Sequence, residues 1–253
     1  MMGRLLASNN DGQVELYCDH INLCAEELGR LWDQFCPTLL RMFPGSNEES
    51  VQRALYTTIA LHDAGKLLNL WQYQLQKGAK NLPPHAAVGA AVLNESLRGH
   101  VDDYLRHAVV FAVAIHHIDR GTIGRNLDEP DAQAIRYGLV GDDGRLLWHP
   151  DAQSELDALA NSLPMFSDVP SLTNIVLESL RGMASELRKW ARGPSVRTMH
   201  QRRLQGSVIH HLLRVCDVRA AALRPTSKEN EANRSEFSRM FLEGGLLWAR
   251  LRT

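Results

Sequence analysis

The stretch that most constrains this chain is an uncharged run, Ala54 to Leu61, that ends on His62-Asp63-Ala64-Gly65-Lys66. The run reads as a buried helix. Gly65, two residues after the pair, reads as the glycine C-cap that ends it. An imidazole, a carboxylate and an ammonium then fall within one turn at the end of a buried element. A bare His-Asp pair says little, because with 11 His in 253 residues about one is expected by chance. Its weight comes from the other histidines.

The surrounding pattern is helical almost throughout. Asp19 occupies an N-cap position, followed by His20, Leu23, Cys24, Leu28 and Leu31 at helical spacing. Pro37 opens a short segment running to the turn Pro44-Gly45-Ser46-Asn47, and Glu48 to Leu61 is the helix that delivers His62-Asp63. Asn69 to Lys80 is weakly amphipathic and stops at Asn81-Leu82-Pro83-Pro84. His85 opens a small-residue helix through Leu93, and Tyr104 to His117 is a further buried helix. Residues 118 to about 150 read as loop, with a small hairpin over Gly138–Trp148 centred on Gly141-Asp142-Asp143-Gly144. Helices follow at Asp151–Leu163, Ser171–Trp190, Thr198–Leu223 and Phe237–Leu251. With no internal repeat and no linker, the expectation is one all-α domain over 1–253, its core about 15–225 and its closing helix 237–251.

Composition excludes several classes. Hydrophobic content of 44% and charged content of 23% are those of a globular protein, and no window approaches the roughly 18 apolar residues of a membrane span. The apolar start, Met1 to Ala7, is too short for a signal peptide. Four cysteines without C-x-x-C spacing give neither a zinc ribbon nor a disulfide framework, so the expectation is a reducing cytoplasm and no membrane. Net charge is near zero, yet ten Lys and Arg between Arg181 and Arg224 face only Glu186 and Asp217. That surplus is either a solvated helical face or a wall that tracks a phosphate backbone.

Five helices each offer metal-competent residues at an end or on an apolar face: His20, His62-Asp63, His85, His116-His117 and Asp217. Imidazoles with a few carboxylates suit first-row ions such as Mn, Fe, Co, Ni or Zn better than Mg or Ca, which prefer all-oxygen cages. Neighbouring residues on a helix point about 100° apart, so each adjacent pair can reach one polar cavity from one backbone. Asp63 is the natural bridge, since a carboxylate has two oxygens. Two ions about 3.5–4 Å apart can activate a water and stabilise the leaving oxygen of a phosphodiester.

The order His20, His62-Asp63-Ala64-Gly65-Lys66, His85-Ala86-Ala87-Val88-Gly89-Ala90, Ile115-His116-His117 and Cys216-Asp217-Val218-Arg219 resembles the HD phosphohydrolase superfamily. Within it, the pattern is most similar to the HD nuclease domain of the CRISPR-associated type I helicase-nuclease. The resemblance runs from about residue 15 to 225. It implies an HD-domain helical bundle with a metal centre between helices. One ion would be held by His20, His62, Asp63 and Asp217, the other by Asp63, His85, His116 and His117. Lys66 would meet the phosphate, and Asp63 and Lys66 would carry the chemistry. The cofactor implied is two divalent transition-metal ions, with Mg less suited. The substrate implied is single-stranded DNA.

The chain has no G-x-x-x-x-G-K-[ST] phosphate loop. The family's full-length members carry a helicase after the HD domain, so the expectation is either a stand-alone nuclease subunit or an excised domain, acting with a separate helicase and a CRISPR RNA-guided surveillance complex. Candidate DNA contacts are Arg188, Lys189, Arg192, Arg202, Arg203, Arg214 and Arg219. His210-His211 shares the helix of Asp217 and is a decoy for the ligand set. Two competing readings share the residues: an HD phosphohydrolase of nucleotides or cyclic dinucleotides, and a non-catalytic binding module. The complete ligand set speaks against the latter.

Overall fold

The computed structural model describes residues 5–10, 13–79, 82–117 and 127–223. The helix expected over 237–251 lies outside the described residues. Among them the chain is an all-α bundle with one two-stranded hairpin. No helix among them is long and apolar enough to cross a membrane.

The hairpin comes first. β1 (Leu6–Asn10) pairs antiparallel with β2 (Gln13–Leu16), with Leu6 opposite Leu16 and an irregularity between Leu6 and Ser8. The expected hairpin at Gly138–Trp148 is present in minimal form: Val140 and Leu146 pair antiparallel, with Gly141 N–H donating to Arg145 O and Leu147 N–H donating to Leu139 O, both at 2.9 Å. The pairing extends no further, because neighbouring backbone groups bond elsewhere: Arg145 bridges Val176, and Trp148 bridges Leu68.

α1 (Tyr17–Met42) starts directly from β2, with Leu16 rather than Asp19 at the cap position. Asp19 lies in the first turn, where a carboxylate favours the positive end of the helix. Pro37 does not open a new segment but sits inside α1. The buried stripe Ile21, Cys24, Leu28, Cys36 and Leu39 continues across it, so packing outweighs one lost backbone hydrogen bond.

α2 (Glu48–Leu61) is capped by Asn47, whose side chain accepts from Ser50 N–H at 2.8 Å, and its last eight residues are all buried. A 3-10 turn over Ala64–Leu67 follows, then α3 (Asn69–Gln76). Gly65 is not a left-handed cap. It lies within the 3-10 turn, and a Cβ there would overlap the backbone of His85. α4 (Ala86–Leu97) is small-residue and almost wholly buried; a Cβ on Gly89 would lie 2.5 Å from His62 O. The two glycines therefore let α4 pack backbone to backbone on the His-Asp turn.

α5 (Asp103–Ala114) is capped by Asp102, which accepts from Tyr104 N–H at 2.9 Å. α6 (Pro130–Arg136), α7 (Ala152–Ser162), α8 (Leu177–Arg192) and α9 (Val196–Leu223) complete the bundle. α1, α4 and α5 surround α2, and α9 lies across α1 and α5. Glu27 on α1, 3% exposed, pairs with Arg219 on α9 at 3.1 Å. This pair holds the two long helices in register beside the ends of α2 and α5.

Candidate metal centre

The bundle points the helix ends of α2, α4 and α5, and the flanks of α1 and α9, at one another. His62 and Asp63 follow α2, His85 precedes α4, and His116 and His117 follow α5. His20 lies one turn into α1, and Asp217 lies near the end of α9. Helix ends leave carbonyls without intrahelical partners, and these carbonyls orient the imidazoles. His62 Nδ1–H donates to Ile59 O at 2.8 Å, and His116 Nδ1–H donates to Val113 O at 2.6 Å. His20 Nδ1 is held 3.1 Å from Glu15 Oε1. A partner on Nδ1 fixes the tautomer and leaves Nε2 bare, the usual support of a metal-binding histidine.

Asp63 sits in the middle. Its Oδ2 is 3.6 Å from His20 Nε2 and 3.5 Å from His62 Nε2, and Lys66 Nζ meets it at 2.6 Å. Its Oδ1 is 2.9 Å from His85 Nε2 and 3.6 Å from His116 Nε2. Asp217 Oδ1 stands 3.4 Å from His20 Nε2, and His117 Nε2 faces His85 Nε2 at 2.8 Å. The sequence-expected set His20, His62, Asp63, His85, His116, His117 and Asp217 is thus gathered in one cluster, with Lys66 at its edge.

The cluster has the chemistry of a cation site. His62 Nε2, His116 Nε2 and Asp63 Oδ1 are buried and have no hydrogen-bond partner among the described residues; the approach of His85 to Asp63 Oδ1 is close but misaligned. Orphaned groups of this kind cost free energy unless something binds them. Two sets of ligand atoms, each lying within 4.8 Å of one another, converge there: His20, Cys24, His62 and Asp217, and Asp63, His85, His116 and His117. The donor set fits divalent metal.

The electrostatics agree. Burial presses the imidazoles of His62, His85 and His117 toward the neutral form, that of His85 to about 4. Burial would raise the carboxyl of Asp63, but Lys66 and then His62 hold it well below the usual carboxylate range. Asp217 is likewise lowered against its burial, by His20. For His20, burial is outweighed by Cys24, Asp217 and Glu15, which raise it well above the ordinary value. Neutral imidazoles beside ionised carboxylates are what a divalent ion requires. His20 would release a proton on binding one.

Two contributors escaped the sequence reading, and a third side chain, Trp71 beside the motif, closes the site. Glu15 orients His20 from β2, and its only signal was its place five residues upstream. Cys24 shares a helix face with His20, four residues on, and its Sγ is 3.7 Å from His20 Nε2. Trp71, 3% exposed, stacks edge-on against His85 at 4.8 Å and donates Nε1–H to Pro83 O, so it walls the site.

The basic residues do not form one wall. Arg214 approaches Asp217 at 4.0 Å and donates to His116 O at 3.3 Å, and Arg219 pairs with Glu27. Arg188 is spent on Leu127 O and Asp128 O, and Arg202 on Trp190 O. Lys189 and Arg192 are exposed on α8. Arg202 and Arg203 stand about 21 Å from Asp217 along α9, at 1.5 Å per residue. His210 lies on α9 near His116, but neither ligand set includes it or His211.

A helical bundle whose central helix ends in a His-Asp pair, with further histidines brought to it from the neighbouring helix ends, is an HD domain, a class of metal-dependent hydrolases. The family whose description reads "Cas3, HD domain" matches residues 7–237, and the chain belongs to that family. Among solved structures, the chain is similar to the CRISPR-associated Cas3 HD domain protein MJ0384 from Methanocaldococcus jannaschii. The identity is 18% and the TM-score 0.57, over 84% of this chain and 100% of that one. None of the curated proteins matches the chain significantly. The chain is therefore a CRISPR-associated HD hydrolase.

Proposed function

We propose that the chain is a two-metal phosphodiesterase that cuts single-stranded DNA in type I CRISPR interference. It would act with a helicase and an RNA-guided surveillance complex. The observation that carries this reading is the posture of Asp63. One oxygen faces the Nε2 atoms of His20 and His62, and the other faces those of His85 and His116. In this reading His20, His62 and Asp217 complete one ion's set, and His85, His116 and His117 the other's. Transition metals such as Mn, Fe, Co or Ni are favoured over Mg because imidazole dominates. Divalent ions held there would supply nucleophile activation and stabilisation of the departing oxygen.

The chain's own groups supply the rest. The Lys66 side chain is 13% exposed and that of Asp217 is 18% exposed, so both reach the rim of the buried cluster. Lys66 Nζ has three donors and, among the described residues, one strong acceptor, Asp63 Oδ2. It is positioned to hold a phosphodiester oxygen at the rim. Arg214, 24% exposed, adds a second cation beside Asp217. A flexible single strand can bend toward recessed ligands where a stiff duplex cannot.

The test is metal-loaded protein on closed circular single-stranded DNA, beside nucleotides and cyclic dinucleotides. Endonuclease cleavage is expected with Mn, Co, Ni or Fe and little with Mg alone. Lys66→Ala is expected to retain bound metal while cleaving about 100-fold more slowly, the low end of the scale for one lost electrostatic contact. Hydrolysis of small nucleotides only would overturn the DNA reading.

A further inference from the structure

We propose that Cys24 ligates the ion held by His20, His62 and Asp217, giving that half of the centre a thiolate that the other half lacks. The proposal rests on the two-metal reading and adds a residue to it. Cys24 is on the inner face of α1, fully buried, one turn beyond His20. Its Sγ is 3.7 Å from His20 Nε2. It also lies within 4.8 Å of the ligand atoms of His62 and Asp217.

The spacing fits shared coordination. A nitrogen at about 2.1 Å and a sulfur at about 2.3 Å from one ion, about 110° apart, are separated by about 3.6 Å, and a nitrogen and an oxygen by about 3.4 Å; with Asp63 Oδ2 the ion would then have five ligands. The corresponding separations are 3.7 Å for His20–Cys24 and 3.4 Å for His20–Asp217. A weak S–H···N contact to His20 would account for the first separation alone. It leaves His62 Nε2, in a side chain that is 0% exposed, without any partner among the described residues. An ion bound by all four satisfies both.

Binding breaks the S–H bond. The proton leaves to solvent and the sulfur lone pair forms the bond to the metal. The consequence is asymmetry. A set with thiolate is softer and selects Zn, Co or Fe, whereas Asp63, His85, His116 and His117 offer only nitrogen and oxygen and accept harder ions such as Mn.

Cobalt reports the ligand directly. Metal-free full-length protein titrated with Co(II) is expected to develop visible d–d bands together with a near-ultraviolet sulfur-to-cobalt charge-transfer band. Cys24→Ser is expected to keep the d–d bands and lose the sulfur band, and Cys216→Ala to keep both. X-ray absorption on the wild-type cobalt protein needs no variant and is expected to show a sulfur shell near about 2.3 Å beside nitrogen and oxygen at about 2.1 Å. Bound cobalt with no sulfur signal overturns the role of Cys24 and leaves the metal centre standing. So does a sulfur band that survives Cys24→Ser. Failure to bind cobalt at all overturns both.

Discussion

Gly89→Ala tests whether α4 is seated on the His-Asp turn as closely as its glycines indicate. A Cβ at Gly89 would meet His62 O at 2.5 Å, Leu61 O at 3.0 Å and His62 C at 3.1 Å, all of them backbone atoms that cannot rotate away. Relief requires α4 to move by at least about half an ångström, and overpacking of this kind costs up to about 3 kcal/mol. Alanine recovers about 1 kcal/mol of helix propensity, so the net loss is about 2 kcal/mol. Gly182→Ala on α8 is the matched control. A Cβ there meets nothing within 4 Å, so the same substitution gains about 1 kcal/mol. At roughly 2–4 °C per kcal/mol for a domain of this size, Gly89→Ala should lower Tm by about 4–8 °C and Gly182→Ala should raise it by about 2–4 °C. His85 precedes the displaced helix, so its 2.9 Å approach to Asp63 lengthens, and metal affinity should fall in Gly89→Ala alone. Thermal melts and metal titrations of the two variants read both effects. A Gly89→Ala protein that melts at or above wild type, or binds metal with unchanged affinity, would refute the packing argument.

Two further outcomes follow from the site. Saturating wild type at about 100 times Kd should add about 2.7 kcal/mol, a Tm rise of about 5–11 °C. Asp63→Asn, which keeps the shape but removes the shared charge, should show almost none of it in a manganese-dependent melt. In metal-free protein His85 is held neutral, titrating at about 4 instead of 6.5. The unfolded chain therefore takes up that proton first as pH falls, so about 3 kcal/mol of stability present at pH 7 should be lost between pH 6.5 and 4. Urea midpoints that do not fall between pH 7 and 4.5 would contradict it.

What was legible in the sequence was local. The run from Ala54 to Leu61 and the histidines near helix ends marked the elements and most of the cluster, because helical period and residue type are properties of short windows. Asp217 is 100 residues from His117, and only the packing of α9 across α1 and α5 brings it to His20. Spacing alone carries no such information. Glu15 and Cys24 were passed over because each becomes informative only once His20 is known to face inward. Pro37 misled because a proline's local cost was weighed without the buried stripe that overrides it. The arginine-rich segment looked like one surface in sequence. In the fold its members sit on different faces of α8 and α9, several of them spent on backbone carbonyls.

The claim on which the rest depends is that Asp63 bridges two ions, and anomalous diffraction from crystals of the manganese- or cobalt-loaded protein measures it most directly. The expected result is two anomalous peaks about 3.5–4 Å apart, one beside Asp63 Oδ2 with His20, His62 and Asp217, the other beside Oδ1 with His85, His116 and His117. A single peak at full occupancy, or two peaks that do not share Asp63, would contradict it.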